Sequence, residues 1–307
     1  MHPILTITLN PAIDMTGVAE VVRPTRKTRM TTTKYEPGGG GINVARVIAV
    51  LGGDAEAVYL AGGELGSFLD RLLQECNIRC RSIPISGQTR ISFMVREKTT
   101  GFEYRFIPAG SPVQREDMEP CFDAILSQTS GYVVASGSLP LGAPADTYAR
   151  MARSSAGKRL KFVLDTSGAG LKVALETARL FLVKPSRGEF EQLAGQKLDE
   201  EGIRNVAAGL VARGAAEFVA VTMGADGALL ASASGILRLP AIPVSVRSAV
   251  GAGDSFVGAM VWAMSQGRSP EEAFKLGIAA GAAAVMTPGT ELCRREDILQ
   301  LYHSSRG

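Results

Sequence analysis

Histidine is nearly absent from this 307-residue chain: the only two are His2 and His303, one near each end. A fixed catalytic imidazole is therefore set aside, and any proton transfer falls to a carboxylate or a lysine. Cysteine occurs four times, at Cys76, Cys80, Cys121 and Cys293, with no histidine placed to complete a zinc set. These read as reduced thiols in a cytoplasmic protein. Tryptophan occurs once, at Trp262. An excess of one charge is lacking too. The formal net charge of +3 is too weak to argue for nucleic acid or a membrane surface as partner. No long apolar run is present. The most apolar stretch, LGIAAGAAAVM, is too short and too rich in alanine and glycine to span a bilayer. The opening MHPILTITLN has no charged region of the kind that begins a secretory signal.

What is plentiful is glycine, 35 residues, and short apolar runs. The runs are ILTITL (4–9), AVYLAG (57–62), YVVASG (132–137), KFVLDT (161–166), LFLVKP (180–185) and FVAVTMG (218–224). Each is nearly continuous and rich in β-branched or aromatic residues, as in strands buried on both faces. Between them GINVARVIAVLG, LGSFLDRLLQECN, ADTYARMARSSAG and IRNVAAGLVARGA repeat apolar residues at spacings of three and four. Strand then helix, repeated, predicts an α/β fold with a mostly parallel sheet flanked by helices. Ligands of such sheets bind beyond the carboxyl ends of the strands, which here carry Asn10, Ser136, Asp165, Lys184 and Thr222. Two regions break the rhythm. Residues 89–107 alternate apolar and polar about a KTTG turn, and residues 14–36 are extended and rich in Thr and Arg. They predict a small β-sheet standing off the main body as a lid, taken from about 14–36 and 88–108, within a single domain over 1–307.

Two glycine-rich turns carry chemistry. RSAVGAGDSF (247–256) follows a strand-like run, Ile242, Val244 and Val246, and leads into an apolar helix. Gly251 and Gly253 allow backbone N–H groups to face one concavity, and the helix adds its positive end. Such a site takes an anion, including charge developing on a transferred phosphoryl group. Asp254 beside it is then either a base for an attacking hydroxyl or a helix cap. EPGGGGINVAR (36–46) places four glycines before an amphipathic helix with Asn43 in its first turn. It is neither a Walker A loop nor a dinucleotide fingerprint, so a dehydrogenase reading lacks its motif.

With TLNPAID, GGGGINVAR, SGSLPLG, LVKPSRGEFE, VTMGADGALL and VGAGDSFVGAM in this order, the sequence resembles the PfkB carbohydrate kinases of the ribokinase-like fold nearly end to end. The resemblance implies an ATP-dependent kinase with Asp254 as base and Gly251, Ala252 and Gly253 as anion hole. It implies Asp14, Gly39, Gly40, Asn43 and Ser138 on the sugar, and Lys184, Ser186, Thr222, Gly224 and Gly227 on the nucleotide. Glu189 would hold the water shell of Mg2+, and Ser248, Val250, Ala284, Thr287 and Gly289 would cage K+. One departure stands out: the family's Lys-Pro-Asn-x-x-Glu is KPSRGE here, with Ser186 in place of the amide.

Lys27, Arg29, Arg90 and Arg105 lie in the lid segments and suit capture of a phosphate already on the sugar. Relatives acting on fructose 1-phosphate or tagatose 6-phosphate tend to carry Gly-Lys-Gly where this chain has Gly39, Gly40 and Gly41. RKTR (26–29) and EYRFIPAG (103–110) also resemble the minor bacterial 6-phosphofructokinase branch. Fructose 6-phosphate is the expected acceptor, with 1-phosphofructokinase or tagatose-6-phosphate kinase as the alternative and a non-catalytic sugar-phosphate-binding regulator as the different class. An exposed lid sheet leaves an apolar face and open edges, so a homodimer through the lid is expected.

Overall fold

The computed structural model describes residues 2–304. Among these the strands are β1 (Ile4–Thr8), β2 (Ala12–Ala19), β3 (Met30–Gly38), β4 (Ala55–Ala61), β5 (Arg79–Pro84), β6 (Arg90–Glu97), β7 (Glu103–Phe106), β8 (Ser130–Ser136), β9 (Arg159–Asp165), β10 (Leu180–Val183), β11 (Ala216–Thr222), β12 (Ala228–Ser232) and β13 (Gly235–Leu239). The helices are α1 (Gly40–Val50), α2 (Gly63–Gln74), α3 (Glu119–Ser127), α4 (Thr147–Ala156), α5 (Gly168–Thr177), α6 (Arg187–Ala194), α7 (Glu200–Ala212), α8 (Ala252–Ser265), α9 (Pro270–Val285) and α10 (Arg295–Ser304).

Nine strands form the large sheet, in the order β13-β12-β11-β10-β9-β8-β1-β4-β5. The strands from β11 to β5 run parallel, and β12 and β13 add an antiparallel edge. The six apolar runs read from sequence are β1, β4, β8, β9, β10 and β11. Every residue of β1 is buried, because helices cover both faces. Helices α3 to α7 pack on one face around Phe122, Tyr148, Leu171, Phe190 and Ile203. Helices α1, α8, α9 and α10 pack on the other around Val47, Phe256, Phe274 and Ile298. The single tryptophan, Trp262 on α8, lies on this second side, where a side chain on Gly53 would collide with its ring and Arg268 stacks on it.

Three strands had no apolar run to announce them. Edge strand β5 is mostly exposed, and its Arg79 and Arg81 pair with Asp54 and Glu56 on the neighbouring chain stretch. Charge at an edge discourages pairing with another sheet. β12 and β13 form a short hairpin instead. The strand expected at Ile242 to Val246 is absent: the segment is irregular and Val246 is 70% exposed. Pro240 and Pro243 remove the N–H groups that a ladder needs.

The remaining four strands form a separate small sheet, β3-β2-β6-β7. Its register sorts side chains into two faces. Lys34, Thr16, Met94 and Arg105 share one cross-strand row, and Glu36, Asp14 and Ser92 share the next row on the same face. This inner face meets the loop after α9, since a side chain on Gly289 would touch Thr16 and Met94. Thr290 donates to Glu36 at 2.6 Å, and Lys34 pairs with Glu291 at 2.9 Å. The opposite face carries the row Tyr35, Met15, Phe93 and Phe106. Three of these aromatic rings are exposed in the single chain.

Candidate active site

The large sheet reverses its winding at β1: β4 and β5 lie to one side, β8 and its successors to the other. A crevice opens at such a switch beyond the carboxyl ends of the strands. Into it points the N-terminus of α8, capped by Gly251 in the left-handed region at φ 73°. A residue with a Cβ is strained there. The cap position separates Asp254 from the role of helix cap. It sits inside the first turn, with its carboxylate turned outward, accepting from Asn43 Nδ2 at 2.9 Å and from the Ser136 hydroxyl at 3.4 Å. The helix-cap reading is thereby excluded. Burial raises the Asp254 carboxyl above the usual carboxylate range, while the Asn43 bond, Lys184, Ser136 and Arg46 pull against that rise.

The glycine run before α1 is a matter of clearance. A side chain at Gly40 would stand 2.2 Å from the Ser136 hydroxyl, and one at Gly38 would overlap the Asp14 carboxylate. Only bare backbone lets α1 begin this close to the end of β8, and that closeness brings Asn43 to Asp254. Asp14, from β2, is pushed up to about 6, first by burial and then by the nearby Asp254 charge, with Ser92, Arg105 and Arg46 opposing. Arg105, one row further along the same face, thus acts on Asp14 directly. Ser138, after β8, accepts from Asn10 Nδ2 at 3.3 Å.

On the other flank Lys184 follows β10 and pairs with Asp165 at the end of β9, at 3.2 Å. Both are nearly buried. Burial pushes the Asp165 carboxyl up to about 7, and Asp254 and Glu189 add to the rise against the pull of Lys184. Lys184 stays charged: burial opposes this, but Asp165, Glu189 and Asp254 outweigh it. A side chain on Gly253 would come within 3.3 Å of Lys184 Nζ, so the lysine borders the glycine turn. Ser186 is the N-cap of α6. Its hydroxyl accepts from the Glu189 N–H at 3.3 Å and Glu189 Oε2 accepts from the Ser186 N–H at 2.7 Å, a closed capping box. The serine therefore does for the helix what the shorter side chain allows, and Glu189 keeps one oxygen free of that box. Beside the turn a cavity of about 610 Å³ is lined by Thr222, Gly224, Gly227, Ala252, Gly253 and Phe256 among others. Its size and largely apolar lining suit a nucleobase with its sugar.

The loop 247–250 is tied to the end of α9 by Arg247 and Ser248 N–H groups on the Val285 carbonyl, at 2.7 and 3.3 Å. Ser248 and Val250 thus neighbour Ala284 and Thr287, whose hydroxyl donates to the Ala284 carbonyl at 2.7 Å. Gly289 completes the turn.

Two expected site groups are placed otherwise. Arg90 donates to the carbonyls of Asn10, Pro11 and Pro108 at 2.8, 3.4 and 2.8 Å, so most of its guanidinium pins the root of the small sheet. Two of its five hydrogens remain for a ligand. Lys27 and Arg29 lie in the connection after β2, at the end of the sheet far from Asp14. Five residue steps along the strand take the chain from Asp14 to Ala19, about 16 Å, so Lys27 and Arg29 start from the opposite end of the strand to Asp14. Asp165 was marked from sequence only as a strand-end candidate without a role, and Arg46 was not marked at all. Arg46 had no signal beyond lying three residues after Asn43.

A parallel sheet with a switch-point crevice, a glycine-turned helix end and a carboxylate beside it define a sugar-kinase architecture, and comparison with known proteins agrees. The chain belongs to the pfkB family carbohydrate kinases, matching over residues 7–297. It is 43% identical over 302 residues to ATP-dependent 6-phosphofructokinase isozyme 2 of Mycobacterium tuberculosis, covering 97% of this chain and 88% of the relative. It is 35% identical over 304 residues to the protein of that name in Escherichia coli, covering 98% of each. A 1-phosphofructokinase of Bacillus subtilis is 33% identical over 97% of each chain. Solved phosphofructokinase-2 structures from E. coli superpose over 100% of both chains, with fructose-6-phosphate (TM-score 0.94, 33% identity) and with potassium (TM-score 0.96, 34% identity). A tetrameric inhibited form of that enzyme superposes at TM-score 0.94. The small β-sheet beside a mostly parallel large one is the ribokinase-like arrangement expected from sequence.

Proposed function

We propose that this protein phosphorylates fructose 6-phosphate at C1 with ATP, giving fructose 1,6-bisphosphate. The observation that carries the reading is Asp254, held by Asn43 and Ser136 at the mouth of α8, while Asp14, with Arg105 acting on it, faces it from the small sheet. Asp254 takes the proton of the C1 hydroxyl. The oxygen attacks the γ-phosphorus in line, the bond to the bridging oxygen breaks, and ADP leaves. Backbone N–H groups of the 251–253 turn and the helix end receive the charge on the equatorial oxygens. Lys184 neutralises nucleotide phosphates, and no phosphoenzyme forms.

The acidic surplus around Lys184 fits a magnesium ion arriving on ATP. Asp165 and Glu189, the acidic neighbours of Lys184, would hold the water shell of an ion carried by the phosphates. Magnesium supplies neutralisation of the β- and γ-phosphates. The carbonyls and hydroxyls gathered at Ser248, Val250, Ala284, Thr287 and Gly289 fit a monovalent cation, taken as K+ and shaping the anion hole from behind. The small sheet acts as a lid that excludes water. Its exposed row of Tyr35, Phe93 and Phe106 suits a second copy, and in such a pair the distal connection with Lys27 and Arg29 can reach over the other protomer's crevice. A reaction on ATP and a sugar phosphate supports a cytoplasmic location; among the described residues no helix is long and apolar enough to cross a membrane.

The deciding experiment is ADP release with MgATP and a panel of fructose 6-phosphate, fructose 1-phosphate, tagatose 6-phosphate, fructose and ribose. Fructose 6-phosphate should show the highest kcat/KM. A preference for fructose 1-phosphate would move the chain to the other branch, and no turnover with any sugar would leave a binding protein. Sedimentation of a Phe93→Asp, Phe106→Asp variant tests the pairing, which should shift toward monomer.

A further inference from the structure

Arg46 stands behind the site and nothing in the reaction scheme uses it. It lies on α1 one turn after Asn43, with its side chain only 15% exposed. Its Nη1 donates twice: to the Asn43 side-chain oxygen at 3.2 Å and to the Pro37 carbonyl at 2.9 Å. Its Nη2 stands 3.6 Å from Glu36 Oε1, and Glu36 is itself buried and fixed by Thr290 at 2.6 Å. The amide of Asn43 has two ends, and only one of them can face a carboxylate favourably. With its oxygen taken by Arg46, the amide nitrogen is left to donate to Asp254 Oδ2 at 2.9 Å.

We infer that Arg46 is a positioning residue: its guanidinium locks the Asn43 amide, and through it the Asp254 carboxylate, in the orientation that receives the sugar hydroxyl. The fork matters as well as the charge. One guanidinium spans the Asn43 oxygen, the last residues of β3 and the Glu36 carboxylate, so the base is oriented from the root of the small sheet. A lysine ammonium is a single compact donor centre and does not reproduce that span. The charge also counts, because Arg46 opposes the burial that raises both Asp254 and Asp14. Lys184, Ser136, Asp14 and Asp165 face Asp254 from the other elements, and none of them touches the Asn43 oxygen.

This inference rests on Asp254 as the base, and its test keeps the two apart. Asp254→Asn is measured first; turnover near wild type there removes the base assignment itself. With that loss established, a double-mutant cycle on kcat compares Arg46→Met, Asn43→Ala and the pair. Arg46→Met should lower kcat about ten- to a hundredfold, the range that misplacing a reacting group produces, with KM for ATP within about twofold. In the Asn43→Ala background the same change should add almost nothing, because the amide it locks is gone. Arg46→Lys, which keeps charge and bulk, should lose several-fold in kcat, and that loss should also vanish beside Asn43→Ala. Additive effects in the cycle, or a wild-type kcat for Arg46→Lys, would overturn the inference. Should Arg46→Met fail to fold, the lysine cycle alone decides.

Discussion

The rim of the large sheet and the inner face of the small sheet hold the two halves of one site by different means. At the rim every group is locked into continuous structure: Asp254 by the turn of α8, Lys184 and Asp165 by the ends of adjacent parallel strands, Asn43 by a helix packed into the core. On the small sheet Asp14 and Arg105 are fixed only by a four-stranded ladder and by loop contacts such as Thr290 to Glu36 and Ser248 to Glu103. The rim is therefore built for chemistry that tolerates no displacement. In the proposed reaction the small sheet is the half that arrives and leaves with the sugar.

The sharpest break in that comparison is Asp254→Asn. It keeps size and hydrogen bonding but removes the proton acceptor. Turnover should fall about 10²- to 10⁴-fold, with ATP affinity retained or tightened and melting temperature little changed. Near-normal kcat in a stable protein would show that the rim carries no base.

Asp14→Asn tests the opposite side through stability. The folded-state carboxyl is raised to about 6, so its ionised form is penalised on folding. Replacing it should stabilise the free protein by up to about 3 kcal/mol above pH 6. The gain should fade as pH falls from about 6 through the ordinary carboxylate range and vanish below about pH 3, where the carboxyl is protonated in both states. Sugar binding should be lost at the same time. A pH-independent change in melting temperature would mean the carboxyl is not confined as described.

Arg105→Ala should raise KM for fructose 6-phosphate about tenfold, the worth of one charge-assisted hydrogen bond, while KM for ATP and the melting temperature hold. Arg90→Ala sharpens the contrast, because it removes three bonds to backbone carbonyls. It should lower the melting temperature as well as sugar affinity. Equal thermal behaviour of the two variants would erase the distinction between a guanidinium held for ligand and one spent on the fold. The smallest effect belongs to potassium, which should raise the rate a few-fold over a bulky organic cation at equal ionic strength. Identical rates in the two salts would leave the 284–289 turn as a purely structural brace.

The same comparison explains what the sequence could announce. Rim residues sit in short contiguous motifs, so VGAGD, KPSRGE and the strand-end Asp165 and Lys184 were legible from spacing and from burial on both faces. The small sheet's inner face was legible only in part. Alternation exposed the β6–β7 hairpin, but which row meets the crevice depends on pairing of β2 with β6, whose partners lie 78 residues apart in the chain. Lys27 and Arg29 were grouped with Arg105 by charge, and the strand register separates them. The Ile242 to Val246 run misled because apolar alternation also suits the wall of a cavity, which is what Ile242, Val244 and Val246 line. Arg46 was invisible because its meaning lies in a geometry of three partners, two of them outside its helix.

Trp262 gives this division of labour an optical consequence. The only indole sits on α8 against Gly53 and Arg268, in the large-sheet body and remote from the small sheet. Intrinsic emission excited at the red edge therefore reports the body alone. It should shift when α8 and α1 come apart in denaturant and stay constant while sugar is titrated. A second indole introduced at Phe93 would give the small sheet its own signal, and the two emissions together would time lid movement against melting of the frame.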